Sequence, residues 1–216
     1  RSGTYKSFFS EKITGSGSES MLIAKPSRIG IDKAIYDLQL KLNKGFAEYI
    51  GLSPTDPKFE CYGRAYKNPH MKSGDVSGPT RQEAHVYTTG NDYKRITVDD
   101  RLYASCFFGM GDKIDVTEEG QADVHLVFFV NLKKCFPTST QRMDEEVRLK
   151  VLDLLKAGTV TSPVQSIELT PLKVLREYNA EYESRADWHP FHLFRVNLRV
   201  RFDTVVPPCR PFSNIN

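Results

Sequence analysis

The chain has 216 residues, of which 39% are hydrophobic and 26% charged, and its formal net charge is +3. This length is enough for one well-formed core or two small ones, and the composition is typical of a soluble globular protein. No apolar run reaches membrane-spanning length, which excludes an integral membrane protein. The small net charge is unlike that of a dedicated nucleic-acid-binding protein.

Residues 1–28 are predicted to form a flexible N-terminal arm. Residues 15–20 have the Gly- and Ser-rich composition of a linker, and an aromatic cluster of Tyr5, Phe8 and Phe9 precedes them. Two interpretations are open for this segment. It is either a disordered terminus, as many chains have, or an arm that docks on a neighbouring subunit.

Residues 29–49 predict the first helix. Ile31, Ile35, Leu38 and Leu42 recur at spacings of three and four, which places them on one helical face. Glycine and proline residues after position 49 end the pattern.

Several strands follow without any helical pattern between them. They are separated by a predicted surface loop at residues 68–80, a turn at 88–92 and a polar connection at 109–120. Because parallel pairing usually needs a helical crossover, the sequence predicts a mostly antiparallel sheet. The predicted strands occupy residues 59–66, 83–87, 93–98 and 102–108.

Residues 122–132 predict the central strand of this sheet. Alternate positions from Val124 to Val130 carry apolar side chains on one face, and Val127 and Phe129 add apolar bulk to the other. We therefore expect the second half of this strand to be covered on both faces.

A second helix is predicted after the central strand, with Ser139 or Thr140 as its N-cap. Acidic residues occupy its first turns, where the helix dipole favours negative charge, and an apolar stripe follows. Lys156 and Gly158 mark its end. The acidic residues are Asp144, Glu145 and Glu146, and the stripe consists of Met143, Val147, Val151, Leu154 and Leu155.

Two strand-like stretches, at residues 164–169 and 172–178, precede the clearest alternation in the chain, at residues 191–203. Every second side chain of this last strand is apolar and is expected to pack on the core. A proline-rich tail at residues 204–216 follows, and its prolines prevent further ladder pairing.

The other face of the last strand carries four polar residues that we call the arginine row: Arg195, Asn197, Arg199 and Arg201. One interpretation is that the arginine row pairs with acidic residues across an interface or on the second helix. The other is that it faces the phosphates of DNA, whose contacts require charge but no base-reading side chains. The small net charge favours pairing.

No catalytic constellation is visible in the sequence. Asp187, His189 and His192 are the strongest candidates for metal ligands, but Pro190 and the extended pattern disfavour a two-histidine helical site. No phosphate-binding glycine motif and no nucleophile signature occurs. We therefore predict that the chain is not an enzyme and binds no metal or cofactor.

Three other features have structural explanations. His125 lies inside the central strand, where a hydrogen-bonded core histidine is expected. The acidic residues 144–146 complement the helix dipole more simply than they form a general acid and base. The cysteines lack CxxC spacing and are predicted to be free thiols; they are Cys61, Cys106, Cys135 and Cys209.

The order of helix, antiparallel strands, long strand, helix and closing strands resembles the tail-terminator and tail-completion family of tailed bacteriophages. The matching stretches are IDKAIYDLQLKL, ITVDDRLYASCFF, ADVHLVFFVNL, MDEEVRLKVLDLL and FHLFRVNLRVRFD. More narrowly, YGRAYKN, HVYTTGNDYKRITVDD and ADVHLVFFVNLKKCFP look similar to a ring or neck protein of crAss-like phages. The resemblance covers about residues 29–203.

The resemblance implies a single α+β domain over residues 29–203, in which a mostly antiparallel sheet is packed by the N-terminal helix and the helix after the central strand. It implies a virion protein, made in the host cytoplasm, that forms a sixfold or twelvefold ring in the neck or tail connector. Double-stranded DNA would pass through this ring without sequence specificity, and portal, neck or tail proteins would adjoin it. The ring would close through heterologous contacts between identical subunits. Residues 1–28 and 204–216 would reach a neighbouring subunit or the next ring, and would become ordered only on assembly.

Overall fold

A computed structural model describes residues 29–70, 81–87, 93–96, 99–116, 120–156, 164–178 and 189–204. Within these ranges the chain has an α+β fold built on one seven-stranded sheet. The strands are β1 (Phe59–His70), β2 (Arg81–Tyr87), β3 (Tyr93–Arg95), β4 (Ala104–Asp115), β5 (Gly120–Asn131), β6 (Val164–Glu168) and β7 (Phe191–Phe202). The helices are α1 (Gly30–Tyr49), α2 (Leu132–Cys135), α3 (Asp144–Lys156) and α4 (Pro171–Val174).

The sheet has the strand order β3-β2-β1-β4-β5-β7-β6 and is mixed. β1 and β4 run parallel, with Cys61 opposite Cys106. The expectation of a mostly antiparallel sheet is therefore wrong. The parallel pairing arises because the chain returns after β3 to the start of β1. There the backbone N–H of Tyr103 donates to the carbonyl of Lys58 at 2.7 Å. A short non-helical return of this kind leaves no periodic signal in the sequence.

The central strand is confirmed as β5, which pairs antiparallel with β4 on one side and β7 on the other. Its side chains Leu126 and Phe128 pack in a core with α1 and α3, on what we call the helix face of the sheet. Val127 and Phe129 point to the opposite face and are also buried, beside Leu175. The expected coverage on both faces is therefore confirmed.

Aromatic side chains dominate the core of the helix face. The ring of Phe128 lies 4.7 Å from that of Phe46 on α1 and 5.3 Å from that of Phe194 on β7. Phe46 also contacts Phe59 at the start of β1, with ring centroids 5.1 Å apart. Phe128 and Phe46 therefore join α1 to three strands through contacts between aromatic rings.

Several predicted boundaries differ from the structure. β1 continues to His70, into the stretch expected to begin a surface loop at residue 68. β4 continues to Asp115, through residues that were expected to form a polar connection. The second helix begins at Asp144, because the chain first forms the single turn α2. Asn131 caps α2 by accepting a hydrogen bond from the Lys134 backbone N–H at 3.2 Å. The predicted acidic first turn of α3 is confirmed.

The strand expected at residues 172–178 is instead the helical turn α4 followed by further turns. The carbonyl of Thr170 accepts hydrogen bonds from the backbone N–H groups of Lys173 and Val174, at 2.8 and 3.0 Å. Pro171 occupies the first helical position, where its missing N–H costs nothing. This segment places Val174, Leu175 and Tyr178 against the sheet face opposite α1.

The cysteines within the described ranges, Cys61, Cys106 and Cys135, are free thiols and all are buried, as predicted. Cys209 lies outside the described residues. The thiol of Cys106 donates to the sulfur of Cys61 at 3.2 Å, and burial raises the pKa of Cys106.

We predict that Phe128→Ala lowers the free energy of unfolding by about 3–5 kcal/mol, because it removes the ring that joins α1 to the sheet and leaves a cavity. Urea denaturation followed by circular dichroism measures this change. Leu149→Ala, at a side chain of α3 that is 56% exposed, is the control and should change stability by less than about 0.5 kcal/mol. Equal effects of the two substitutions would contradict this packing.

Candidate functional site

The arginine row lies on the face of β7 opposite the helices, but its first member is not a surface group. Arg195 is 1% exposed and donates to Glu177 Oε1 at 3.1 Å and to Asn197 Oδ1 at 2.7 Å. Asn197 in turn donates to Ser166 Oγ on β6 at 2.9 Å. This part of the row therefore connects β7 to α4 and β6 within one subunit, and Arg195 does not face solvent.

The rest of the arginine row is also engaged. Arg199 donates to Asp123 Oδ1 at 3.3 Å and to Gln121 Oε1 at 3.1 Å, both on the neighbouring strand β5. Arg201 is exposed at the end of β7, and it too interacts with another group. Pairing with acidic residues, the interpretation favoured from net charge, thus describes Arg195 and Arg199. The acids lie on β5 and after α4, and not on the second helix.

Glu177 is the centre of a buried polar cluster on this face. Besides Arg195, it lies 3.1 Å from His125 Nε2, 3.5 Å from Arg176 Nε and 3.9 Å from Lys67 Nζ. Three cationic side chains therefore surround one carboxylate. Such an arrangement compensates the cost of burying Arg195, because an unpaired buried charge is strongly destabilising.

His125 is the hydrogen-bonded core histidine that its position in the central strand predicted. Its Nε2 lies 3.0 Å from the hydroxyl of Tyr178, and the ring is 1% exposed. Burial lowers the pKa of His125 to about 2, and the positive charge of Arg195 contributes to the shift. Although Glu177 is close enough to pair with an imidazolium, burial and the surrounding cations prevail and the ring is neutral.

Gly109 on β4 provides the space that this cluster needs. It lies directly across from His125 in the ladder, and a Cβ at this position would overlap both His125 Nε2 and the Tyr178 hydroxyl. Gly109 is therefore required by the side chains beside it. The sequence offered no periodic signal for this contact, because the three residues come from three separate elements.

The cluster has the residue types of an acid–base site but not the access. His125 and Arg195 are both fully enclosed, and Tyr178 is buried with a raised pKa that keeps its hydroxyl protonated. A general base must be within reach of a substrate proton, which this enclosure prevents. The arrangement instead fastens residues 171–178 to the sheet.

The histidines considered as metal ligands line an open cavity of about 710 Å³ between the α2–α3 connection and the start of β7. His192 Nε2 lies 3.2 Å from Arg148 Nη1, so a cationic guanidinium occupies the position that a metal would take. His189 is exposed on the same cavity, and Asp187 lies outside the described residues. Within the described ranges, no three His, Cys, Asp or Glu residues converge as a metal site would require.

The acidic residues at the start of α3 are held by basic neighbours. Asp144 lies 3.1 Å from Arg142 Nε and 3.6 Å from Arg148 Nη1, and Glu145 also pairs with Arg148. The first turn of α3 therefore carries the negative charge that the helix dipole favours, and ion pairs with Arg142 and Arg148 hold Asp144 and Glu145 in place.

An apolar surface remains exposed at one end of the sheet, where three parts of the chain meet. Gly30 at the start of α1 lies against Phe202 at the end of β7, and Gly120 at the β4–β5 hairpin lies against the same ring. Large apolar side chains nearby are exposed. We call this surface the apolar end; it consists of Ile29, Ile114 and Val116. Exposed large apolar side chains at one end of a sheet are candidates for burial against another protein surface.

The aromatic cluster Tyr5, Phe8 and Phe9 and most of the proline-rich tail lie outside the described residues, so their docking stays a prediction. No helix in the described ranges is both long and apolar enough to cross a membrane.

Comparison with protein-family models, with curated proteins and with solved structures gave no match.

We predict that the stability of the chain falls on acidification because His125 is neutral when folded. Between its ordinary pKa of 6.5 and the folded value of about 2, the unfolded chain binds one more proton. The free energy of unfolding therefore decreases as the pH falls below about 6.5, by up to about 1.4 kcal/mol per pH unit. Urea denaturation between pH 7 and pH 5 measures this slope.

His125→Gln should reduce the slope, because glutamine binds no proton in this range. His189→Gln is the matched control at an exposed histidine, and its slope should equal that of the unmodified chain. An unchanged slope in His125→Gln would show that other groups cause the acid sensitivity.

Proposed function

We propose that this chain is a structural subunit that assembles with identical copies into a ring, and that the ring forms part of the neck or tail connector of a tailed bacteriophage. The subunit performs no catalysis. Double-stranded DNA passes through the ring without sequence-specific contacts, and portal, neck or tail proteins adjoin it. The resemblance of residues 29–203 to the tail-terminator family motivates this assignment.

The observation that carries the proposal is the apolar end. Ile29, Ile114 and Val116 are exposed although the rest of the helix face is well covered by α1 and α3. Burying such side chains contributes about 25 cal/mol for each Å² removed from water, which favours association with another surface.

The position of the chain ends supports the same proposal. Residues 1–28 precede Ile29, and the tail leaves the sheet after Phe202, so both extensions depart from the apolar end. In an assembled ring they would contact the neighbouring subunit beside its exposed apolar groups. Segments that order on binding can wrap a partner over a large area.

The alternative, a DNA-binding module that uses the arginine row, has less support. Arg195 is enclosed, and Arg199 is engaged by Asp123 and Gln121. Phosphate contacts require basic groups that are accessible to the duplex. Arg201 is the member of the row that lies exposed, which is too little for a DNA-binding face.

We predict that the purified chain forms a discrete oligomer with a central opening. Size-exclusion chromatography with light scattering gives the mass, and negative-stain electron microscopy gives the shape. Ile29→Asp combined with Val116→Asp should shift the protein toward monomer, because two charges then oppose burial of the apolar end.

The control combines Leu40→Asp with Leu149→Asp, two changes at exposed apolar side chains on the outer surfaces of α1 and α3. The control should assemble as the unmodified chain does. A monomer mass for the unmodified chain at every concentration up to about 100 µM, which bounds the affinity of any ring contact, would contradict the proposed function.

A further inference from the structure

The inner strand β4 is paired on both sides along only half of its length. β1 pairs with β4 from Ala104 to Phe108, and beyond Arg64 it pairs with β2 instead. In this second half, Met110 and Ile114 of β4 pair with β5 at the two ends of an irregular stretch, and no described strand pairs with residues 110–114 on the other side. Unpaired backbone N–H and C=O groups at such an edge are a template for another strand.

A second open edge lies at the β6 end of the sheet, while the three-residue strand β3 forms the edge at the other end. β6 is the last strand in the order, and it pairs within the described residues only with β7. β5 and β7 separate the two open edges. An edge on each side of the same sheet is the arrangement that heterologous, head-to-tail contacts require.

We propose that β6 of one subunit adds to residues 110–114 of β4 in the next subunit, so that the sheet continues from subunit to subunit. The inference rests on the proposed ring and names the contact that closes it. The partner is a second copy of this chain, and each copy donates one edge and receives the other.

Strand direction and length agree with this contact. β4 and β7 are both antiparallel to β5, and β6 is antiparallel to β7. A neighbouring subunit in the same orientation would therefore place its β6 antiparallel to β4. The open stretch at 110–114 spans five residues, as does β6.

The distribution of apolar side chains also agrees. Met110 and Ile114 oppose Val124 and Ala122 in the ladder, which places them on the helix face. Val164 and Ile167 of β6 oppose Leu198 and Val196 and share that face. Joining the edges would bring apolar side chains of both subunits together and cover Ile114, which is 55% exposed.

Both edges also carry features that oppose pairing between identical edges. The ladder is irregular between Met110 and Ile114 and again between Val164 and Ser166. Asp112 and Lys113 are exposed within the β4 stretch. Bulges and edge charges discourage indiscriminate strand pairing. These features would therefore protect the free subunit from aggregation until it binds the matching edge of another copy.

Disulfide crosslinking tests the contact directly. In a Cys209→Ser background, Lys113→Cys and Ser166→Cys place one thiol at each edge, at residues that are both exposed. A bond within one subunit is excluded, because two strands separate the positions by about 14 Å. The double variant should give a ladder of covalent oligomers up to the full ring on non-reducing gels, and each single variant should give monomer.

If the ring forms normally but the double variant gives no covalent oligomers on the gel, this inference is overturned and the proposed function stands. Self-crosslinking of a single variant would also overturn it, because an isologous contact pairs each position with itself. A protein that stays monomeric would overturn the proposed function and this contact together.

A charge at the edge provides the second measurement. Ile114→Asp should raise the concentration for half-assembly by about tenfold or more, as expected for a central interface side chain. Leu149→Asp, at a side chain of equal exposure on the outer surface of α3, should leave it unchanged. Circular dichroism confirms that both variants fold, and equal assembly of both would contradict the contact.

Discussion

The divergence of β1 from β4 is the constraint on which the rest of the structure depends. β1 pairs with β4 through its first residues and then continues with β2, so one long strand serves two ladders. Among the described strands, the second half of β4 is then supported by β5. β5 can do this because β7 pairs with its other side along its whole length. Within the described residues, the interior strand β4 therefore keeps an open side beside residues 110–114.

The two faces of this sheet are held by different interactions. The helix face is a continuous apolar core in which Phe128 contacts rings from α1 and β7. The opposite face combines apolar packing with a buried cluster in which Glu177 pairs with Arg195, while burial lowers the pKa of His125 and keeps its ring uncharged. Arg195 and Arg199 of β7 therefore pair with carboxylates of the same subunit. Their engagement leaves Arg201 as the exposed arginine of this strand.

Elements whose pattern is local could be predicted from the sequence. α1, β5 and β7 could be predicted from periodicity, since each carries apolar side chains at regular spacing along at least one buried face. The parallel pairing of β1 with β4 could not be predicted, because it depends on where a short return places the chain. The prediction of a strand at residues 172–178 was wrong, because the outcome there depends on one local contact. The carbonyl of Thr170 and the proline after it begin a helical turn within an apolar stretch. Glu177, the partner of Arg195, lies in that segment, so the partner could not be identified from the pattern.

Amide hydrogen exchange as a function of protein concentration tests the central claim most directly, because it reports on backbone pairing at each edge. In the dilute subunit, amides of residues 104–108 should exchange slowly and those of residues 110–114 should exchange faster. On assembly, protection should rise at residues 110–114 and at β6 together. Protection that rises elsewhere while both edges stay as open as in the free subunit would contradict the claim.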